Sequence, residues 1–374
     1  MPELDSLRGI ACLMVLFFHG FGNRYVPEHL NAVELFFVHL CGYGFTGVNL
    51  FFVLSGFLIT GILLETRQRS DYYRRFYIRR ALRILPLYYG ILLLLVLVWR
   101  TGLTDRPFSW AFLGFSAIYL ANTTPLFGVP IQFGVLWSLA VEEHFYLLWP
   151  TFVRRLKPTN LTILAVVLCL AAVAFRLAAF HLGSNVFGYY TWMVCDGLAM
   201  GALLAIAVRH YHESRKRIWR IAAFTFAYAM FCFVVEKWAA VRYTGAALQI
   251  SGINAFYAFA LVATLLLGSR YGIRSRVLEF FGDISYGLYL LHTLVFDVFD
   301  ALARRHFPVL APEHLNFPLA SLRFSLVVAV AVGVSWLSRW YFEERFLRLK
   351  DRFASHQKSA RDRETEPLSG EAAA

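Results

Sequence analysis

The first apolar stretch of the chain, residues 7–22, contains two ionisable side chains, Arg8 near its start and His19 near its end. On a helix that rises about 1.5 Å per residue, these two residues lie roughly 16 Å apart along the axis. Burying an ionisable group in such a helix costs free energy, so these residues often mark a functional site. The alternative is that His19 only forms a hydrogen bond with a neighbouring helix. The stretch by itself favours neither interpretation.

Two further basic residues, Arg80 and Arg83, lie at the start of a later apolar stretch. Residues three apart share one face of a helix. The two guanidinium groups therefore predict a site for an anion held by two donors, and phosphate is the best match. The alternative is contact with lipid head groups, because positive charge is common where helices leave a membrane on the cytoplasmic side.

Three consecutive polar residues, Glu142, Glu143 and His144, interrupt another apolar stretch. Consecutive residues on a helix point about 100° apart, so the three cannot all face one partner. Because lipid would reject a charged side chain, at least one of them is expected to face an interior cavity.

Other intramembrane polar residues are more isolated. His292 lies about halfway along a ninth apolar stretch. His292 and Asp297 match an HxxxxD pattern of soluble acyltransferases, but an offset of five residues puts them on different helix faces, so the match carries little weight. Arg176 and Asp196 are expected to pair across two helices.

The composition indicates which class of protein holds these residues. Hydrophobic residues make up 59% of the 374 residues and charged residues 16%, which is typical of a bundle of membrane helices. The net charge of +12 does not indicate nucleic acid, because the basic residues form short clusters without interleaved aromatic residues. The five cysteines are scattered, without metal-ligand spacing, so no metal site is expected.

Ten stretches are long and apolar enough to cross a membrane, which predicts an all-α polytopic bundle of about ten transmembrane helices. They are residues 7–22, 45–64, 80–100, 136–153, 160–181, 188–208, 219–239, 246–267, 278–302 and 320–341. The apolar stretch 108–121 is too short to cross and is expected to be interfacial or re-entrant.

The distribution of charge predicts the orientation. With the N-terminus in the cytoplasm, 27 of the 36 Lys and Arg residues fall on the cytoplasmic side, as the positive-inside rule requires. We therefore expect both termini in the cytoplasm. Residues 1–350 are expected to form one integral-membrane domain, and residues 351–374 a disordered cytoplasmic tail.

Several motifs in this order resemble those of the bacterial acyltransferase-3 family. The motifs are DSLRGIA at 5–11, the Arg8-x10-His19 spacing, GVNLFFVLSGFLIT at 47–60, the Arg80/Arg83 pair, WSLAVEEHFYLLWP at 137–150, SYGLYLLH at 285–292 and FEERF at 342–346. The resemblance extends from about residue 4 to 346. It departs at His144, where the family usually has Gln, and it is to the stand-alone members, which carry no extracytoplasmic hydrolase-like domain.

Members of this family are integral-membrane O-acyltransferases of polysaccharides and other cell-surface molecules. The resemblance implies a multi-pass protein of the cytoplasmic (inner) membrane that moves an acyl group, expected to be acetyl, from cytosolic acyl-CoA to a glycan or glycolipid hydroxyl. It implies that Arg80 and Arg83 hold CoA phosphates, and that Arg8 lies on the donor side or pairs with an acidic residue such as Asp5. No permanently bound cofactor is expected.

The resemblance also implies catalytic roles. His19 is expected to act as general base on the acceptor hydroxyl, or to carry the acyl group transiently. One or both of Glu142 and Glu143 are expected to orient His19 or to bind sugar hydroxyls. His292 is expected to support the reaction by orienting His19 or the substrate.

Two other classes of function compete with this one. A transporter or flippase of lipid-linked sugars or small anions would also place polar residues in the membrane, but it should show repeat symmetry and broken helices, and the sequence shows neither. A membrane scaffold would have no use for so many intramembrane ionisable groups. Turnover of acyl-CoA by the purified protein separates an acyltransferase from both.

Overall fold

The computed structural model describes residues 2–22, 30–182, 188–238, 242–271 and 275–349, and every regular element in these ranges is a helix. The prediction of an all-α fold is confirmed. The predicted tail, residues 351–374, lies outside the described residues. The α-helices are α1 (Pro2–Phe17), α2 (Ala32–Gly42), α3 (Gly47–Thr66), α4 (Tyr72–Arg100), α5 (Trp110–Ala117), α6 (Leu136–Arg155), α7 (Pro158–His181), α8 (Thr191–Val194), α9 (Asp196–His210), α10 (Arg215–Trp238), α11 (Arg242–Tyr271), α12 (Arg276–Asp283), α13 (Ser285–His306) and α14 (Phe317–Leu337).

Eight of the helical segments in the described ranges are long and apolar enough to cross a membrane. They overlap α1, α2 together with α3, α4, α7, α10, α11, α13 and α14. The other two predicted spans are also helical. Helix α6 is 20 residues long, but the run from Glu142 to His144 makes it less apolar than the eight segments. Helix α9 begins after an interruption at Cys195 and has only 15 residues, so it is shorter than they are. The chain is thus an all-α polytopic membrane protein.

The helix boundaries differ from the predicted ones in three places. Helix α4 already begins at Tyr72, because the arginine-rich segment before residue 80 is helical as well. The ninth predicted stretch consists of two helices, α12 and α13, separated at Ile284. Helix α2 was not predicted, and its 11 residues are too few to cross a membrane alone. Within 108–121, the short helix α5 has eight residues and also cannot cross, as expected.

Small residues allow the central helices to approach closely. A methyl group at Gly56 of α3 would overlap the carbonyl of Leu198, and one at Gly201 of α9 would overlap that of Val53. Small residues serve the same purpose in other membrane bundles, where close backbone contact replaces the hydrophobic driving force.

A buried ion pair joins α7 to α9. Arg176 and Asp196 are both fully buried, and Nη2 of Arg176 lies 2.9 Å from Oδ2 of Asp196. Ser251 of α11 donates to the same carboxylate at 2.6 Å, and Nε of Arg176 donates to the carbonyl of Ala247 at 2.8 Å. The predicted pairing is confirmed, and the satisfied donors indicate a structural role.

Candidate active site

Helix α1 ends in a π-helical turn, Phe18–Gly22, and this turn carries His19. Such turns are frequent at functional sites. A methyl group at Gly20 would overlap the ring of Phe324 in α14, and one at Gly22 would lie 2.8 Å from the carbonyl oxygen of Cys41 in α2. The two glycines thus let the turn pack against both helices and fix the backbone around His19.

His292 of α13 lies beside His19. Its Nε2 atom is 3.2 Å from Nδ1 of His19, and the ring centroids are 4.9 Å apart. Each Nδ1 atom also contacts a carbonyl one helical turn earlier: Val15 for His19 and Leu288 for His292, both at 2.9 Å. Two histidines 273 residues apart in the sequence therefore form one unit.

For neutral rings, the two carbonyl contacts assign the tautomers. A carbonyl oxygen can only accept, so each ring carries its proton on Nδ1. Nε2 of His292 then accepts from the shared Nδ1–H of His19. This assignment makes Nε2 the basic nitrogen of His19.

His19 lines a large cavity of about 920 Å³, here called the outer cavity, whereas His292 is fully buried behind it. One part of the lining is aromatic and includes Trp137 and Tyr189. The neighbouring part is polar and includes Asn49, whose amide donates to Asn254 at 2.8 Å. The cavity therefore combines flat apolar surfaces with polar groups beside a histidine.

Ion-paired residues form part of the lining of the outer cavity. Nε of Arg106 lies 2.6 Å from Oδ2 of Asp297, and Arg304 lies 2.7 Å from both Asp105 and Glu313. Asp297 therefore contacts a loop arginine while His292 contacts His19, so the two members of the HxxxxD match have different partners.

A second space, here called the inner cavity, measures about 110 Å³. It brings together five predicted site residues, namely Arg8, Arg80, Arg83, Glu142 and Glu143. The three arginines come from α1 and α4 and the two acids from α6. Helices distant in sequence thus place guanidinium and carboxylate groups in one small space.

The two acids lie with the arginines. Glu142 accepts hydrogen bonds from Ser55 at 3.0 Å and from Tyr146 at 3.1 Å. The guanidinium of Arg80 lies 5.1 Å from the centre of the Tyr146 ring. Glu143 lines the same cavity although it follows Glu142 directly. Both acids therefore line the cavity that contains the arginines and not the one that His19 lines. The third residue of the run, His144, contacts Thr191 at 2.7 Å instead.

A third space of about 360 Å³, here called the vestibule, lies next to the inner cavity. Its lining is rich in charged residues, including Glu343 and Arg339. Arg8 pairs there with Asp5 at 2.8 Å, which confirms one of the two expectations for Arg8. Arg8, Arg83 and Tyr286 line both the vestibule and the inner cavity, and Val48, Phe52 and Tyr289 line both the inner and the outer cavity. The three spaces therefore follow one another in series.

A family model described as "Acyltransferase domain" matches residues 1–340, which include the linings of the inner and outer cavities. The chain belongs to this acyltransferase family. The resemblance drawn from the motifs is thereby confirmed.

The curated relatives are bacterial O-acetyltransferases by name. A Bacillus subtilis protein designated a candidate peptidoglycan O-acetyltransferase is 29% identical over 324 residues, which are 78% of this chain and 48% of that protein. A peptidoglycan O-acetyltransferase of Listeria monocytogenes is 34% identical over 168 residues, 41% of this chain and 24% of that protein. An O-acetyltransferase of Staphylococcus aureus is 31% identical over 233 residues, 55% of this chain and 34% of that protein.

The chain spans about half the length, or less, of these relatives. No solved structure matches the chain significantly.

Three further residues of the inner cavity, Ser138, Tyr286 and Tyr289, were not predicted as site residues. Each lies in one of the motifs that resemble the family. Each is also a polar side chain in an apolar stretch, which is the feature that could have indicated it. Within the described ranges, no three His, Cys, Asp or Glu side chains converge in a way that would hold a metal ion.

Proposed function

We propose that this chain is a membrane O-acyltransferase that moves an acyl group, expected to be acetyl, from cytosolic acyl-CoA to a hydroxyl of a cell-surface or exported glycan or glycolipid. Membership of the family and the names of the relatives support this function. The observation that carries the proposal is the His19–His292 pair at a large outer cavity, which shares lining residues with an arginine-rich inner cavity.

Acyl-CoA enters from the vestibule in this proposal. Arg80 and Arg83 bind its phosphates, because planar guanidinium groups match phosphate oxygens with two parallel hydrogen bonds. Arg8 contributes a third positive charge and is held by Asp5. The pantetheine arm then extends through the inner cavity and carries the thioester toward His19.

His19 acts on the acceptor hydroxyl. Its Nε2 atom takes the hydroxyl proton as the oxygen attacks the thioester carbonyl. A new C–O ester bond forms, the C–S bond breaks, and the proton held by His19 passes to the leaving CoA thiolate. In the alternative route the acyl group resides briefly on His19 before the hydroxyl attacks. His292 orients His19 in both routes through the shared Nδ1 hydrogen.

The acceptor occupies the outer cavity. Trp137 and Tyr189 offer aromatic surfaces for the apolar faces of a sugar ring. The buried hydroxyl of Thr293 lines the cavity and has no hydrogen-bond partner among the described residues, so an acceptor hydroxyl would satisfy it. The Bacillus and Listeria relatives are named for peptidoglycan, which makes a peptidoglycan sugar the first acceptor to test.

The orientation follows from the charge distribution. Both termini lie in the cytoplasm in this proposal, and the chain crosses the cytoplasmic (inner) membrane of a bacterium. The vestibule then opens toward cytosolic CoA, and the outer cavity toward the cell surface.

The test uses the full chain in lipid nanodiscs with acetyl-CoA labelled with ¹³C in the acetyl group. Soluble peptidoglycan fragments serve as acceptor, and mass spectrometry detects their gain of a labelled acetyl group while a thiol reagent records CoA release. Transfer of the label supports the proposal. A protein that neither transfers nor hydrolyses the thioester, yet moves lipid-linked sugar across vesicle membranes, would instead be a transporter.

A further inference from the structure

The junction between the inner and outer cavities is formed by three residues, Val48, Phe52 and Tyr289, which line both spaces. The inner cavity is about 110 Å³ and the outer about 920 Å³. These three side chains therefore form the boundary between the space that the arginines line and the space that His19 lines.

Hydrogen bonds hold the Tyr289 ring in place at this junction. Its hydroxyl lies 2.5 Å from Oγ of Ser138, and Oγ of Ser138 lies 3.1 Å from the carbonyl of Val135. The carbonyl can only accept, so Ser138 donates to Val135 and Tyr289 donates to Ser138. The ring also packs edge-on against Phe51 of α3 at 5.8 Å between centroids. Contacts with α6 and α3 thus fix the position of Tyr289 at the junction.

Phe52 is fixed at the junction as well. It is only 2% exposed and belongs to the packed core around α3 and α6. Protein cores are close-packed, so a side chain held in this way does not move freely to admit a bulkier group. The junction residues therefore have little freedom to move apart.

We propose that Val48, Phe52 and Tyr289 form an aperture that selects the acyl group of the donor by its width, an inference that rests on the proposed acyltransferase function. The cysteamine end of the CoA arm is an unbranched chain, and an acyl group no wider than this chain passes with it. Acetyl and n-butyryl groups belong to this class. An acyl group branched next to its carbonyl is too wide to reach His19.

The width and the length of the acyl group are limited at different places in this arrangement. The junction limits its width. The outer cavity is large and so leaves room for a longer unbranched chain. The donor class is therefore the unbranched acyl-CoA thioesters, and the discrimination arises before the thioester meets the histidines.

The test compares n-butyryl-CoA with isobutyryl-CoA, which contain the same atoms and differ only in branching. The full chain in nanodiscs is given each thioester, with acetyl-CoA as reference, and CoA release and binding are measured separately. We expect the two butyryl isomers to bind equally, and release from isobutyryl-CoA to be slower by about tenfold or more, the usual range for one misplaced methyl group.

Substitutions at the aperture should change the ratio of isobutyryl-CoA turnover to n-butyryl-CoA turnover in both directions. Val48→Ala and Phe52→Leu widen the passage and should raise isobutyryl turnover relative to n-butyryl turnover. Val48→Phe narrows it and should lower acetyl turnover while CoA binding persists, which also shows that the variant is folded. Phe175→Leu removes similar bulk from an exposed position on α7 and should leave the ratio unchanged.

Equal turnover of the two isomers by the unchanged chain would overturn the aperture, while activity with acetyl-CoA would leave the acyltransferase function intact. A ratio that does not respond to Val48→Ala, Phe52→Leu or Val48→Phe would also overturn it. If the chain released no CoA from any of the thioesters, the acyltransferase function itself would fall, and the aperture with it.

Discussion

At the scale of single residues, the candidate site is built from side chains that are distant in the sequence. His19 at the end of α1 contacts His292 in the middle of α13, with 3.2 Å between Nδ1 and Nε2. Arg80 and Arg83 of α4 line the inner cavity together with Glu142 and Glu143 of α6, so this arrangement depends on how α6 packs and on no local pattern. Each of these side chains can be replaced singly, so each proposed role has its own test.

The firmest prediction at this scale concerns His19. His19→Ala should lower acyl transfer by about 10²–10⁴-fold, the usual loss when a general base is removed, while expression and CoA binding persist. Labelled acetyl transfer and CoA binding are measured on the same purified protein. His144→Gln is the matched control, since His144 contacts Thr191 at 2.7 Å and the family usually has Gln there.

Two results would contradict this assignment. If His19→Ala retained transfer while His292→Ala lost it, the roles of the two histidines would be exchanged. If both variants remained active, neither ring would be the base, and Glu142 and Glu143 would become the next residues to test.

The second prediction concerns the donor site. Arg80→Ala and Arg83→Ala should each weaken acyl-CoA binding by about tenfold or more, because a charge-assisted hydrogen bond contributes about 1.5–3 kcal/mol. Lysine at either position should restore binding only in part, since an ammonium group cannot form the paired contacts of a guanidinium. Arg74→Ala, at an exposed position of the same helix, is the control. Unchanged affinity in an Arg80/Arg83 double variant would leave the pair as ordinary positive-inside charge.

At the scale of the helices, apolar length predicted the elements well and their interruptions poorly. All ten predicted stretches contain helix. Helix α2 was missed although Asn31 and Glu34 form a capping box that was visible in the sequence. Helix α12, which ends just before the interruption at Ile284, docks directly on α1, because Gly9 lies against the carbonyl of Leu278 and Gly282 against that of Asp5. Apolar periodicity does not reveal such a contact.

The π-helical turn after α1 provides the prediction at this scale. Gly22→Ala should lower the free energy of unfolding by about 1–3 kcal/mol, the usual range for overpacking, because the added methyl would lie 2.8 Å from the backbone oxygen of Cys41. Transfer should fall too, since the turn carries His19. Thermal unfolding in detergent and acetyl transfer provide the two measurements.

Gly333→Ala is the control for this change. Gly333 lies in α14 with open space around the position of an added methyl. The free energy of unfolding should therefore rise slightly, because alanine is favoured over glycine in a helix by roughly 0.5–1 kcal/mol. Equal effects of the two substitutions would show that the turn does not depend on close packing at Gly22.

At the scale of the whole molecule, the cavities separate an arginine-rich part of the bundle from a part that His19 lines. The vestibule and inner cavity are lined by Arg8 and Arg83, while ion-paired residues line the outer cavity. The sequence predicted a crossing direction from its basic residues but no cavities, because a cavity arises from helix packing. The crossing direction is important for the proposed function, since a donor that enters from the cytosol requires the vestibule on that side.

The last prediction tests this direction with two cysteines introduced at exposed positions. Thr159 lies at the start of α7, beside the basic segment 154–157, and Val309 lies between α13 and α14. Each is replaced by cysteine in a separate variant. In intact cells, a membrane-impermeant maleimide should label Val309→Cys at once and Thr159→Cys only after the membrane is permeabilised. The native cysteines are buried or half-buried, so the unchanged chain gives the background signal. Labelling of Thr159→Cys from outside would reverse the crossing direction and, with it, the side from which acyl-CoA reaches Arg80 and Arg83.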